Sequence, residues 1–534
     1  MSKVAMGARE LALETLDSVK TTPTSLIKFQ SNGRVIVFGD DEAINLCANF
    51  SEPLRVTRVS MSGSRQSADP GEAIALKKRQ IKIEGHLGKF TVRLVDADDI
   101  TETLQADIIL DLNPQPLIKM EILPPGYLHE SATGANSKTL ENQLLEMTGE
   151  FEKPKYFKYD ASICAHGVNG KTVCTRCIDA CPAGAIGSLI EKIEVDPYLC
   201  QGGGACATAC PSGAIQYVYP RLADSGNRVR KMLQAFRQQG GKQAIVMFHA
   251  ETEFPQELLQ QHASILPVRV EEVASVGMDL CLSTLVYGAS QVVLLSNDEI
   301  PKLSLTELER QLEWLQTVLG SLGLEPQQIS LQAISAEFTE LKPGINVEPA
   351  IYTMPENKRH AIFQAVDHLY QQLDQPQELV DLPQGAPFGT ATINESTCTL
   401  CMACVGACPG KALQDGSNRE VPEIFFIESN CIQCGACTQT CPESAITISP
   451  RMIFDRERRN RSRPLNKDIP FACISCGKLF APTSVITKIT DQLKDHYMFN
   501  STRAMDRLKM CEDCRVVDIV QDPEAMTGNF DPLN

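Results

Sequence analysis

The chain has 534 residues, 43% of them hydrophobic and 22% charged, the composition of an ordinary globular protein long enough for three or four domains. Its net charge of −16 argues against a nucleic-acid partner, whose phosphates require a basic face. No apolar run approaches the roughly 20 residues of a membrane helix, so no membrane span is expected. With no export signal visible, the 21 cysteines point to metal rather than disulfides, and to the cytoplasm.

Residues 1–150 read as an α/β domain. The opening MSKVAMGARELALETLD has the pattern of an acidic amphipathic helix. Arg34–Phe38 is a buried-strand run, followed by Gly39 and a helical stretch through Phe50. Leu54–Val59 and Ala106–Leu112 are further strands, and Gln80–Ile83 with Phe90–Val95 form a hairpin around Gly85-His86-Leu87-Gly88. A dinucleotide fingerprint is absent, because Asp40, Asp41 and Glu42 stand where glycines would admit a pyrophosphate. Cys47 is expected to be a core thiol, and residues 131–150 a polar linker into a short helix.

Residues 151–220 hold an atypical metal-binding module. Cys174, Cys177, Cys181 and Pro182 give the end of the bacterial-type ferredoxin phrase C-x2-C-x2-C-x3-C-P, with its first cysteine displaced to Cys164. A second phrase has Cys200, Cys206, Cys210 and Pro211, with Gly203 at the place of the middle cysteine. In such pairs the fourth cysteine of each phrase serves the partner's cluster. One set is therefore Cys164, Cys174, Cys177 and Cys210, suited to a [4Fe–4S] cluster. The other is Cys181, Cys200 and Cys206, suited to [3Fe–4S], or to [4Fe–4S] with one iron lacking a thiolate. A degenerate, empty half-site is the alternative. The insertion AHGVNGKT imitates the end of a phosphate-binding loop but has Ala165 in place of its first glycine, and His166 reads as a solvent-facing loop residue.

Residues 221–345 read as a second α/β domain, expected to dock a partner. Ala244–Phe248, Val268–Val273 and Gln291–Leu295 are its strands, Val276–Tyr287 and Thr306–Leu322 its helices, the latter carrying Trp314. Cys281 lies inside a helix. Residues 346–390 comprise a helix with the apolar stripe Ile362, Ala365, Val366, Leu369 and Leu373, then a Pro-rich linker over 375–389.

Residues 391–450 carry two complete phrases: Cys398, Cys401, Cys404, Cys408 with Pro409, and Cys431, Cys434, Cys437, Cys441 with Pro442. Three thiolates on a tight loop grip three irons of a cubane, and the exchange rule supplies the fourth. Two [4Fe–4S] clusters are expected, one on Cys398, Cys401, Cys404 and Cys441, the other on Cys431, Cys434, Cys437 and Cys408. One zinc ion has no use for this doubled register.

Residues 451–534 read as a zinc-ribbon-like domain. The basic run from Arg456 to Arg463 is either a solvated linker or a docking patch. Beyond it, Cys473-x2-Cys476 and Cys511-x2-Cys514 have the spacing of a four-thiolate site for zinc or rubredoxin-type iron.

The expected fold class is thus multidomain α/β plus α+β: two dicluster ferredoxin modules, two small α/β domains and a C-terminal four-cysteine knuckle domain. The phrases ICAHGVNGKTVCTRCIDACPAGAI, LCQGGGACATACPSGAI and STCTLCMACVGACPGKAL, with the tail PFACISCGK and RLKMCEDCRVVD, resemble the polyferredoxin-type [4Fe–4S] proteins that accompany molybdenum or tungsten formate dehydrogenases in bacteria. VRVEEVASVGMDLCLSTLVYGASQVVLL resembles, more weakly, the small iron–sulfur subunit linking hydrogenase to heterodisulfide reductase. These resemblances imply an electron carrier beside an oxidoreductase such as formate dehydrogenase. The alternative is a maturation or scaffold factor for a molybdenum or tungsten enzyme. No nucleophile–base constellation points to substrate chemistry on the chain itself.

Overall fold

The computed structural model describes residues 3–61, 74–75, 80–96, 99–131, 136–168, 170–251, 253–336, 338, 347–374, 376–416 and 421–523. Part of the expected polar linker (132–135) and Asn169 of the phosphate-loop-like insertion lie outside them. The chain divides into two compact units: Met1–Ser162, Thr175–Gln316 and Leu324–Gln372 form the first, and Ile163–Cys174, Thr317–Gly323 and Leu373–Asn534 the second.

The first unit opens with a five-stranded parallel sheet in the order Ile74–Ala75, Arg55–Ser60, Arg34–Gly39, Ile108–Asp111, Tyr127–His129. Its central strands read as unbroken apolar runs because both faces are covered. Val35, Val37, Ile108 and Leu110 enter one core, whereas Ile36, Phe38 and Ile109 enter another. That second core is closed by Phe90, Val92 and Leu94 of an antiparallel three-stranded sheet, Gln80–His86, Lys89–Asp96 and Asp99–Ala106. The helix after Arg34–Gly39 is short, Asp41–Asn45, and the Asp40 carboxylate accepts from Ala43 N at 2.8 Å. That carboxylate occupies the helix N-terminus where a pyrophosphate would lie.

A four-stranded parallel sheet follows, in the order Ile265–Arg269, Ala244–His249, Ala289–Ser296, Ile329–Ala333. The strand expected over 268–273 begins three residues earlier and stops at Arg269, level with the end of its partner at His249. Val273–Ser275 forms a single 3₁₀ turn instead. The helix Met278–Val286 is buried along its whole length, Cys281 included. The helix Lys3–Ser18, read as part of the first α/β domain, belongs physically to this second one. Its Ala8, Ala12 and Leu16 are buried, it packs on the helix Leu222–Gln238, and Arg9 Nη1 donates to Leu259 O at 2.8 Å. The stripe of Ile362, Ala365, Val366 and Leu369 is buried on the helix Lys358–Tyr370, which ends before Leu373.

In the second unit, the segment read as a Pro-rich linker contributes a strand, Leu379–Asp381. It pairs with one part of Ile446–Ile453, and Gly389–Ile393 pairs antiparallel with the rest. Leu413–Asp415, Glu423–Phe426 and Arg463–Lys467 form a second small sheet. Arg456–Asn460 is helical, and although Arg456, Arg458 and Arg461 are exposed, part of the basic run is tied into the fold. Arg459 is buried and donates to Ile453 O at 2.8 Å, Arg458 pairs with Glu378, and Arg463 donates to Thr390 Oγ1 at 2.6 Å. A hairpin, Pro470–Ala472 with Leu479–Pro482, and the helices Thr483–Leu493, Thr502–Arg507 and Glu512–Val520 close the described chain. Among the described residues no helix is long and apolar enough to cross a membrane.

Candidate metal centres

In residues 398–446 the chain wraps two pockets. Cys398, Cys401, Cys404 and Cys441 line one, with Ile393, Ile424 and Ile446. Cys431, Cys434, Cys437 and Cys408 line the other, with Leu413, Phe426 and Ile448. The fourth cysteine of each phrase therefore sits with the first three of its partner. Apolar walls and four converging sulfurs suit a cubane, whose cationic irons offset the crowding of thiolates. That crowding is visible in the protein alone. Burial, then Cys398, Cys401 and Cys441, pushes Cys404 up to about 12. Burial, then Cys431, Cys434, Cys408 and Cys404, does the same to Cys437. Cys404 belongs to one set and Cys437 to the other, and the short helices that bear them, Ala403–Gly406 and Ala436–Thr440, pack on each other, so the two pockets adjoin.

Backbone conformation explains how the loops aim their sulfurs. The residues two and four past the first cysteine are left-handed in both phrases: Leu400 (φ 53) and Gln433 (φ 53), then Met402 (φ 61) and Gly435 (φ 82). Lys411 (φ 52) and Ser444 (φ 49), three past the fourth cysteine, match each other as well. Non-glycine residues enter this region at a cost of about 1–2 kcal/mol each, so the packing of the loops must enforce it. Backbone amides then turn onto sulfur: Ala412 N donates to Cys408 Sγ at 3.2 Å and Ala445 N to Cys441 Sγ at 3.3 Å. Gln433 Nε2 donates to Cys431 Sγ at 3.2 Å. Such bonds tune the potential of a bound cluster.

In the first unit the strands Phe157–Tyr159 and Ile215–Tyr217 pair antiparallel around the atypical module. Cys206 lies among Cys181, Cys200, Cys177 and Cys210, and burial followed by those neighbours raises it strongly. The Cys200 loop repeats the left-handed positions of the complete phrases at Gly202 (φ 83), Gly204 (φ 75) and Gly213 (φ 75). It is a cluster loop in backbone form, with Gly203 at the missing ligand. Of the set Cys164, Cys174, Cys177 and Cys210, the first two fall in the second unit and the last two in the first.

Within the second unit Cys174 is among the thiols acting on Cys434, after burial, Cys408 and Cys431. The segment bearing it is pinned by His166, which is buried rather than solvent-facing. His166 O accepts from Val173 N at 2.7 Å, and its Nδ1 lies 2.8 Å from Cys174 O. A two-residue ladder between Gly167–Val168 and Lys171–Thr172 takes the place of a phosphate loop.

The four C-terminal cysteines differ in scale. The ligand atoms of Cys473, Cys476, Cys511 and Cys514 all lie within 4.8 Å of one another, and Cys476 Sγ is 3.8 Å from Cys511 Sγ. A regular tetrahedron with metal–sulfur bonds of about 2.3 Å has edges of about 3.8 Å, so the spacing of the four sulfurs suits one ion better than a cluster. Cys473 and Cys476 sit on the hairpin turn, with Gly477 (φ 75) bending it, while Cys511 caps the helix Glu512–Val520 and Cys514 lies in its first turn. Burial opposes ionisation of Cys473, but amides of Cys511, Cys476 and Ser475 hold it down to about 6. Cys514 accepts help from Ser475, but the adjoining Cys476 and Cys511 push it up to about 12.

Several supporting residues leave no mark in the local sequence. Lys358 Nζ is buried and donates to the carbonyls of Ala207 (2.9 Å), Thr208 and Cys210 (3.2 Å), capping the helix Ala205–Ala209. Lys153 Nζ donates to Tyr198 O at 2.6 Å and Cys200 O at 2.8 Å. Both lie far along the chain from the cysteines they serve, so no spacing rule finds them.

Folded loops of this kind define a class, proteins built on ferredoxin-type iron–sulfur modules. Comparison with known families agrees for two stretches. Residues 397–446 match the 4Fe-4S dicluster domain, and residues 193–216, which span the Gly203 phrase, match the 4Fe-4S binding domain. Two ferredoxin-type 4Fe-4S domains and a four-cysteine metal-binding group are therefore present. None of the curated proteins compared matches the chain.

Proposed function

We propose that the chain is a multi-cluster electron-transfer protein that relays electrons to or from a cytoplasmic oxidoreductase, and that its partner is formate dehydrogenase. One observation carries the relay: the two four-cysteine pockets of residues 398–446 adjoin, the helix Ala403–Gly406 that bears Cys404 packing on the helix Ala436–Thr440 that bears Cys437. In this reading Cys398, Cys401, Cys404 and Cys441 hold one [4Fe–4S] cluster, and Cys408, Cys431, Cys434 and Cys437 hold the next. Bound clusters supply one-electron storage. The protein's part is to space them, exclude water with Ile393, Leu413, Phe426 and Ile446, and set their potentials through the amides on Cys408 and Cys441. The C-terminal cysteines hold structural zinc, since four thiolates close its coordination and leave no position for substrate. The partner rests on the resemblance of the cysteine phrases and tail.

An anaerobic reductive titration with low-temperature EPR and total iron and zinc tests this. Reversible uptake of several electrons with signals from coupled clusters supports the relay. Cluster loss on reduction supports assembly or scaffolding instead. For the partner, reduction of the purified protein by formate dehydrogenase and formate is the expected result, and no reduction removes that assignment.

A further inference from the structure

Resting on the assignment of Cys181, Cys200 and Cys206 as cluster ligands, we propose that Gly203 leaves one iron of their cluster open to a small external donor, a thiolate or comparable soft anion. The atypical module is then a ligand-binding site as well as a redox group.

Three glycines in a row occupy this loop, and their surroundings differ. A Cβ at Gly202 would meet the Tyr156 ring at 2.8 Å, and one at Gly204 would meet Ser275 Cβ at 2.5 Å. Both positions also have positive φ, so glycine is demanded there twice over. Gly203 has neither constraint. A Cβ there would meet one atom within 4 Å, Pro182 Cγ at 3.9 Å, and the residue is partly exposed. Among the described residues, no other atom lies within 4 Å of the place from which the fourth thiolate would rise. Since the left-handed positions match those of the complete loops, the gap is a missing ligand and not a collapsed loop.

The surroundings select the donor. An iron held by three sulfides and no thiolate is a Lewis acid that prefers soft anions. The Lys153 ammonium, held 2.8 Å from Cys200 O, adds positive charge beside the loop. Binding is simple ligation: a thiol loses its proton to solvent, its thiolate replaces water on iron, and no electron is transferred.

The test uses the full-length holoprotein. Ferricyanide treatment should remove the iron that lacks a thiolate and give one three-iron EPR signal per chain, reversed by ferrous iron and dithionite. Adding 2-mercaptoethanol to the intact protein should shift the Mössbauer component of about one iron per chain. In Gly203→Cys, which the open space accommodates, both responses should vanish. Wild-type protein with neither response overturns the proposal, as does a three-iron signal that persists in Gly203→Cys. If that variant does not fold, the wild-type protein still decides: iron content unchanged by ferricyanide and no thiol-dependent Mössbauer shift refute it. Failure of the relay reading shows separately, as absent reversible uptake in the dicluster module.

Discussion

Glu428 and Arg451 form a two-point ion pair, Nε to Oε1 at 2.8 Å and Nη2 to Oε2 at 2.8 Å, with the Glu428 side chain only 5% exposed. Glu428 begins the turn Glu428–Asn430 immediately before Cys431, and Arg451 lies on the strand Ile446–Ile453 after the last cysteine. The pair therefore ties the start of one cysteine phrase to the strand that follows it. Arg451→Met would leave the carboxylate buried with Arg463 at 3.8 Å as its remaining cation. Arg451 is partly exposed, so the expected loss is about 2–3 kcal/mol, somewhat below that for a fully buried pair. Denaturant unfolding of the holoprotein measures it, and an unchanged midpoint would show the pair to be dispensable.

Cys437→Ser removes one sulfur from the second pocket and leaves the first intact. Iron content should fall by about four per chain, far-ultraviolet circular dichroism should stay, and electron throughput to an acceptor should drop at least tenfold. Full throughput would take that cluster out of the path.

Lys488 pairs with Glu443, and Glu443 lines the pocket of Cys398, Cys401, Cys404 and Cys441. Lys488→Met leaves that carboxylate without this cation beside the cluster. Negative charge disfavours the reduced form, so the potential of this cluster alone should fall, on the order of tens of mV. Potentiometric EPR would detect it, and equal shifts in both clusters would argue for a global change.

The four C-terminal thiols must ionise to bind metal, so uptake releases protons. Cys473, held down to about 6, is more readily ionised at neutral pH, whereas Cys514, pushed up to about 12, must release its proton to solvent as the ion binds. Metal affinity, and the stability it confers, should therefore be present at pH 8 and weaken as pH falls, lost most steeply below about 6 where Cys473 also protonates. Chelator competition across pH 5.5–8 measures this, and a flat profile would exclude thiolate ligation. On the zinc assignment proposed above, Cys473→Ser should lose about one metal ion per chain without loss of the cluster iron.

Lys358→Met removes the donor shared by the carbonyls of Ala207, Thr208 and Cys210. Leaving buried acceptors unpaired costs about 1–3 kcal/mol. Loss of the tether should also make iron at the Cys206–Cys210 loop more labile to chelator, and chelation at the wild-type rate would show that the cap does not steady the loop.

What the sequence determined alone is what depends on near neighbours. The C-x2-C-x2-C-x3-C-P register, the glycine at position 203, the two-knuckle tail and the alternation of apolar strands with helices are all short-range patterns, because a loop of a few residues must present several sulfurs to one metal group. Tertiary structure decided the rest. The helix Lys3–Ser18 lies on the second α/β domain, and the linker yields a strand to the sheet of residues 446–453. His166 is buried, Arg459 is a core hydrogen-bond donor, and Lys358 caps a helix about 150 residues away. Each of these turns on which distant surfaces meet. A polar or basic side chain reads as solvated until a partner far along the chain removes it from water and supplies the hydrogen bonds that burial demands.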